Sequence, residues 1–259
     1  MTSPHTLAAD RVSRRFGGLC AVSDFSLSVS TGELVGLIGP NGAGKTTAFN
    51  VITGVYAPSS GHVLLDGRRI DSLPPASICR AGVARTFQNI RLFQNLTVLD
   101  NVTVGFSRSA ELGLTKTILR APRFFREHRH AELEAMDLLG TLNLADKADT
   151  LARNLPYGDQ RRLEIARALA THPKFLLLDE PAAGMNPQEK SVLMDLIRFI
   201  RDRFSLGVLL IEHDMKLVMT ICQRLTVLDH GETIAVGPPA EIQCNPKVVE
   251  AYLGEPLHA

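Results

Sequence analysis

The chain has 259 residues, yet no apolar run approaches the roughly 18–20 residues that a membrane-spanning helix requires. No bilayer crossing is expected of it, so any role at a membrane must come through a partner. The first residues, MTSPHTLAADR, lack the charged start and apolar stretch of a secretory signal, and a cytosolic protein is expected. An excess of charge of one sign is missing too, with 28 Lys and Arg against 27 Asp and Glu. The strongly basic footprint of a nucleic-acid-binding protein is therefore absent, and no nucleic-acid partner is expected. The four cysteines, Cys20, Cys79, Cys222 and Cys244, are scattered, with no CxxC pair. That spacing argues against a disulfide framework or a zinc site and for reduced, packed thiols. No internal repeat, low-complexity linker or NKxD guanine-reading motif is found.

What is present is a hydrophobic content of 45%, ample for the core of one large α/β domain or of one such domain carrying an inserted lobe. The most informative stretch is Gly39, Pro40, Asn41, Gly42, Ala43, Gly44, Lys45, Thr46 and Thr47, which reads GPNGAGKTT. Before it runs ELVGLI, an apolar segment with the look of a buried strand. After it comes AFNVITG, which can open as a helix. Strand, glycine-rich loop and helix form the context in which a phosphate-binding P-loop is credible. The glycines let backbone N–H groups turn inward around a β-phosphate, and the helix start adds its positive dipole. Lys45 is placed to reach β- and γ-phosphates, and Thr46 to bind Mg²⁺ through its hydroxyl. A nucleoside triphosphate is the expected ligand.

Around this motif the periodicity divides the chain. Strand-like alternation runs from Leu7 to Ser30, and further strands are expected at Val63 to Gly67 and at Val83 to Gln88. From about Thr97 to Thr171 the pattern turns helical. The α/β pattern then returns at KFLLLDEP, GVLLIEH and RLTVLD. The expected fold is an α/β P-loop core with a mixed sheet, spanning 7–96 and 172–259, interrupted by a helical subdomain at 97–171. The stretch from Lys116 to His130 is basic, with only Glu127 opposing. It is either a solvated face or a surface for anionic headgroups and acidic loops.

FLLLD ends in Asp179, and Glu180 follows at once. At the C-terminal end of a parallel strand Asp179 would stand by the phosphates and hold the Mg²⁺ shell. Glu180 is the candidate general base that polarises the attacking water. The strand GVLLI leads into Glu212 and His213. His213 is read as a γ-phosphate sensor that also positions water. Gln88, expected at a strand end, is a candidate for Mg²⁺ or for the same water.

GPNGAGKTT, the TFQ at Thr86 to Gln88, YGDQRRLEIARAL, LLLDEP and the IEHD at Ile211 to Asp214 occur in the order of an ABC-type ATPase. Over essentially the whole chain the sequence resembles the ATP-binding subunit of an ABC importer for branched-chain amino acids. That subgroup is favoured by YGDQRR, by the AAGMNP after Glu180 and by EHDMKLVM. The resemblance implies a head-to-tail dimer with a like or unlike second ATPase subunit, and integral membrane permease subunits as partners. It also implies an indirect link to a substrate-binding protein and a place at the cytoplasmic face of the inner membrane. Tyr157, Gly158, Asp159 and Gln160 would then face ATP held by the partner, and Phe16 would stack on adenine unless it is a strand-end core residue. Leu92, Phe93 and Leu96 would line the groove that receives the membrane subunit. Tyr157 and Asp159 depart from the serine and glycine usual in that segment. A carboxylate near a triphosphate repels it unless Arg161 or Mg²⁺ compensates. The rival reading is a soluble ABC-type ATPase acting on nucleic acid or ribosomes, which would be expected to carry two such modules or a coiled-coil insertion.

Overall fold

The structure is a computed structural model and describes residues 4–106 and 122–253. It forms two compact units, Met1–Gln88 with Lys174–Ala259, and Asn89–Pro173.

In the first unit, β1 (Thr6–Phe16), β2 (Leu19–Ser30), β4 (Ser60–Leu65) and β5 (Arg68–Arg69) make an antiparallel sheet in the order β2-β1-β4-β5. The second sheet has the order β10-β9-β3-β8-β7-β6. Its strands are β3 (Leu34–Ile38), β6 (Val83–Arg85), β7 (Phe175–Asp179), β8 (Gly207–Ile211), β9 (Arg224–Asp229) and β10 (Glu232–Gly237). All its pairings are parallel except β9 with β10, which are antiparallel. Every residue of β3, β7 and β8 is buried, the expected state of parallel strands covered on both faces. Leu7, Val22, Phe25 and Val29 from the first sheet share one core with Val35, Leu37, Phe175, Leu177 and Leu209 from the second. Ala48, Phe49 and Ile52 of α1 (Lys45–Ile52) complete that core. The N-terminus of α1 is therefore fixed against both sheets. The unit also holds α2 (Pro75–Ala81), α6 (Pro187–Arg203), α7 (Met215–Ile221), α8 (Pro239–Gln243) and α9 (Pro246–Leu253).

The second unit holds α3 (Val98–Phe106), α4 (Pro122–Thr141) and α5 (Tyr157–Leu169), with short 3₁₀ turns at Ala145–Lys147 and Ala152–Asn154. Val98, Val102, Leu138, Leu139, Leu142, Leu163, Ala166 and Ala170 are buried within it. α3 starts at a reciprocal cap, in which Thr97 Oγ1 accepts the Asp100 N–H at 3.0 Å and donates to Asp100 Oδ2 at 2.7 Å.

The unit boundaries fall at 88/89 and 173/174, where periodicity had put them at 96/97 and 171/172. The loop 89–96 has no helical pattern, but it is fastened to the helical unit. Buried Asn101 accepts the Phe93 N–H at 2.9 Å and donates to Phe93 O at 3.1 Å and Thr97 O at 2.9 Å. The Ala152 N–H adds a bond to Leu96 O at 3.0 Å. The first part of the basic stretch, Lys116 and Arg120 included, lies outside the described residues.

Candidate functional site

The P-loop is built as its spacing predicts. β3 runs into it, and α1 begins at Lys45 behind Gly44, which caps the helix at φ 100°. A side chain cannot replace the hydrogen at Gly44, because a Cβ there would strike Ala21 O. Lys45 is only 7% exposed. Its Nζ folds back to donate to Gly39 O and Pro40 O, each at 2.7 Å. Burial pushes this ammonium below the usual lysine range, opposed by the nearby carboxylates Glu180 and Asp179. A desolvated ammonium bonded to two neutral carbonyls is a strong donor toward phosphate oxygens. Thr46, on the first turn of α1, is exposed, so the residues present fit a Mg²⁺-bound triphosphate.

Asp179 closes β7 and is 3% exposed. Its Oδ2 accepts Arg85 Nη2 at 2.8 Å, and Arg85 Nη1 continues to Asn50 Oδ1 at 2.7 Å and Thr53 Oγ1 at 3.1 Å. Arg85 was not foreseen. The available signal was a cation on a short buried strand, a placement that needs a partner.

Glu180 lies just beyond β7 with φ 46°. A non-glycine residue in this left-handed region bears roughly 1–3 kcal/mol of strain and is held there by its surroundings. Its N–H donates to Ile211 O at 3.0 Å, and its Oε2 accepts Gln88 Nε2 at 2.9 Å. His213 Nδ1 stands 3.7 Å from the same carboxylate, with its side chain 55% exposed. Gln88 does not end a strand: β6 stops at Arg85, and Gln88 sits in a bend. The reason is sheet register: β6 pairs with β7 from Val83 to Arg85, and the Thr86 N–H adds a last bond to Leu177 O at 2.9 Å, after which the chain leaves the sheet and Gln88 meets Glu180.

Glu212 is almost wholly buried, and its Oε1 accepts the Ala182 N–H at 2.9 Å. Burial pushes its carboxyl above the ordinary range. Beyond it, Asp214 caps α7 and pairs with Lys190 Nζ at 2.8 Å. Asn186 caps α6 through a capping box with Glu189, both bonds 2.9 Å.

Phe16 ends β1 and is 39% exposed, so it is not a core residue. Its ring meets Tyr56 edge-on at 5.2 Å, and the Arg14 guanidinium covers it at 4.6 Å.

These groups belong to the first unit; Tyr157, Gly158, Asp159 and Gln160 open α5 in the second. Arg161 does not compensate Asp159. It is fully buried, pairs with Glu164 at 2.9 Å and donates to the Tyr157 hydroxyl at 3.0 Å. Helix phase sets residue 161 in line with buried Ile165 and Ala168, four and seven positions on, where only a paired guanidinium is tolerated. Asp159 is instead met by Lys147 Nζ at 2.6 Å and Arg162 Nη1 at 3.5 Å. Gln160 Nε2 donates to Leu155 O at 2.9 Å. In the same unit Phe93 and Leu96 are exposed and Leu92 is half-buried. Among the described residues none of the four cysteines forms a disulfide.

A parallel sheet whose strand ends carry a P-loop, an Asp–Glu pair and a histidine defines a nucleotide-hydrolysing P-loop protein. Residues 22–183 match the family model described as ABC transporter, and residues 232–258 match that described as Branched-chain amino acid ATP-binding cassette transporter. The chain belongs to the ABC transporter ATP-binding family and is an ATP-binding ATPase. Over 253 residues it is 48% identical to the high-affinity branched-chain amino acid transport ATP-binding protein LivG of Salmonella typhimurium, covering 96% of this chain and 98% of that one. To the corresponding protein BraF of Pseudomonas aeruginosa it is 47% identical over 249 residues, with the same coverage. The solved ADP conformation of MJ1267, an ATP-binding cassette of an ABC transporter, superposes with a TM-score of 0.84 at 31% identity. That likeness covers 98% of this chain and 100% of the other. Among the described residues no helix is long and apolar enough to cross a membrane.

Proposed function

We propose that this chain is the ATP-hydrolysing subunit of an importer for branched-chain amino acids, working at the cytoplasmic face of the inner membrane. The observation that carries this reading is its near-complete alignment with LivG and BraF, extended by the family match at 232–258. Its partners are integral membrane permease subunits, a second ATPase subunit and, through the permease, a substrate-binding protein. The exposed Phe93 and Leu96 support a permease contact.

In the proposed reaction Lys45 and the P-loop amides hold the β- and γ-phosphates. Glu180 accepts a proton from the water that attacks the γ-phosphorus as the bond to the ADP oxygen breaks. Gln88 keeps the carboxylate aimed, and His213 senses the γ-phosphate. Thr46, Gln88 and Asp179 would hold Mg²⁺, whose chemistry would be to neutralise charge on the phosphate oxygens. Phe16 supplies the stacking surface for adenine, worth roughly 1–3 kcal/mol, and Tyr157 to Gln160 face ATP held by the second subunit.

The test is purification of the tagged chain from detergent-solubilised cells, followed by mass spectrometry of what comes with it. Two multi-span membrane proteins and a second ATPase are expected, and leucine-stimulated hydrolysis by the reconstituted complex. Ribosomal proteins or nucleic acid without any membrane protein would overturn the reading.

A further inference from the structure

Glu212 has no part in the scheme above, yet it is 1% exposed and lies at the end of β8 beside the reacting groups. Acidic side chains are almost never buried so deeply without a cationic partner. Among the described residues the basic side chain within salt-bridge range is His213, its Nδ1 at 3.9 Å on a half-exposed ring. What Glu212 does hold is backbone: its Oε1 accepts the Ala182 N–H at 2.9 Å.

That amide lies two residues beyond Glu180, whose left-handed backbone needs outside support. The support comes from consecutive residues of one strand end. Ile211 O takes the Glu180 N–H at 3.0 Å, and the next residue, Glu212, takes the Ala182 N–H through its side chain. Between these anchors the turn closes on itself, Ala183 N–H to Glu180 O at 3.2 Å and Met185 N–H to Ala182 O at 3.3 Å. Without the second anchor the far side of the turn loses this hydrogen bond to the β8 end, and the strained residue is free to relax and re-aim its carboxylate.

We propose that Glu212 is a positioning residue: by gripping the Ala182 amide it locks the turn that aims Glu180, and so sets the hydrolytic rate without touching ATP. The inference rests on Glu180 as the general base. A lone pair on the side-chain oxygen is all the grip requires, so glutamine can replace the carboxyl and an apolar side chain of similar size cannot.

The experiment compares E212Q and E212M in the full chain at saturating Mg-ATP. Methionine fills the space, so a fold lost to a cavity is avoided, and thermal melting checks both variants. E212Q is expected to keep kcat within about twofold, while E212M loses about tenfold or more in kcat at unchanged KM for ATP. Amide exchange at Ala182 should speed up in E212M and stay protected in E212Q. Wild-type kcat and a protected Ala182 in E212M would overturn the proposal. So would an E212Q loss equal to that of E212M, which would assign the effect to charge. E180Q separates this from the underlying reading: wild-type turnover there removes Glu180 as base, while Ala182 exchange in E212M still reports the grip.

Discussion

Arg85 reaches from β6 to Asp179 at the end of β7, Nη2 to Oδ2 at 2.8 Å, with the two side chains 8% and 4% exposed. Its other nitrogen binds Asn50 and Thr53 at the end of α1. One guanidinium thus ties the strand end that carries the acidic pair to the helix that carries Lys45 and Thr46. The pair also means that Asp179 has one oxygen committed to a cation.

Removing Arg85 should be costly in two ways. R85M strands a buried carboxylate, so the chain should lose about 3–5 kcal/mol of stability, read from urea unfolding. D179N in the same background should recover part of that loss, whereas it should not recover ATPase activity.

Lys45 makes the opposite trade. Its ammonium is desolvated and hydrogen-bonded to the Gly39 and Pro40 carbonyls, with only Coulombic support from Glu180 and Asp179, so K45M should leave the melting temperature unchanged or slightly raised. Nucleotide affinity should fall about 10–100-fold, the worth of one lost charge-assisted hydrogen bond or two. Isothermal titration with ATP in the presence of Mg²⁺ checks both the loss and the intact fold.

The charge of Asp159 on the first turn of α5 is balanced chiefly by Lys147, and that bond raises the lysine's own pKa. K147M leaves Arg162 at 3.5 Å as counter-ion, and in the proposed assembly the carboxylate then opposes the triphosphate of the second subunit. Hydrolysis by the assembled complex should drop in K147M and return in K147M/D159N. Added salt should narrow the gap, because the repulsion is screened.

Acid stability should follow Asp214. Lys190, hydrogen-bonded at 2.8 Å, holds its carboxyl below the usual range. A depressed folded-state pKa contributes stability that is present above the unfolded-state value and lost as pH falls through the folded-state value. D214N should therefore lower the urea midpoint at neutral pH and flatten its decline below about pH 4. Glu212 has the reverse sign: its raised carboxyl stabilises below the unfolded-state value and loses that contribution as pH rises. Urea midpoints of E212Q should accordingly gain on the wild type as pH rises above about 4.3.

The sequence by itself determined the elements whose cause is local. Nine contiguous residues specify the P-loop, because turn, anion-binding amides and helix start are all backbone properties of that stretch. FLLL and GVLLI are apolar throughout and had to be buried strands, which placed Asp179, Glu180 and His213 at strand ends. The tertiary structure decided the partnerships. Arg85 and Asp179 are 94 positions apart, and Glu212 and Ala182 are 30 apart. Each pair meets only because the sheet runs β8-β7-β6 in space. Arg161 turned inward while Lys147 covered Asp159, since helix phase and the packing of a 3₁₀ turn, not spacing along the chain, select which cation reaches a carboxylate. The same holds for loop 89–96, assigned to the helical unit by Asn101, a single buried amide whose hydrogen bonds had to be satisfied where the fold put it.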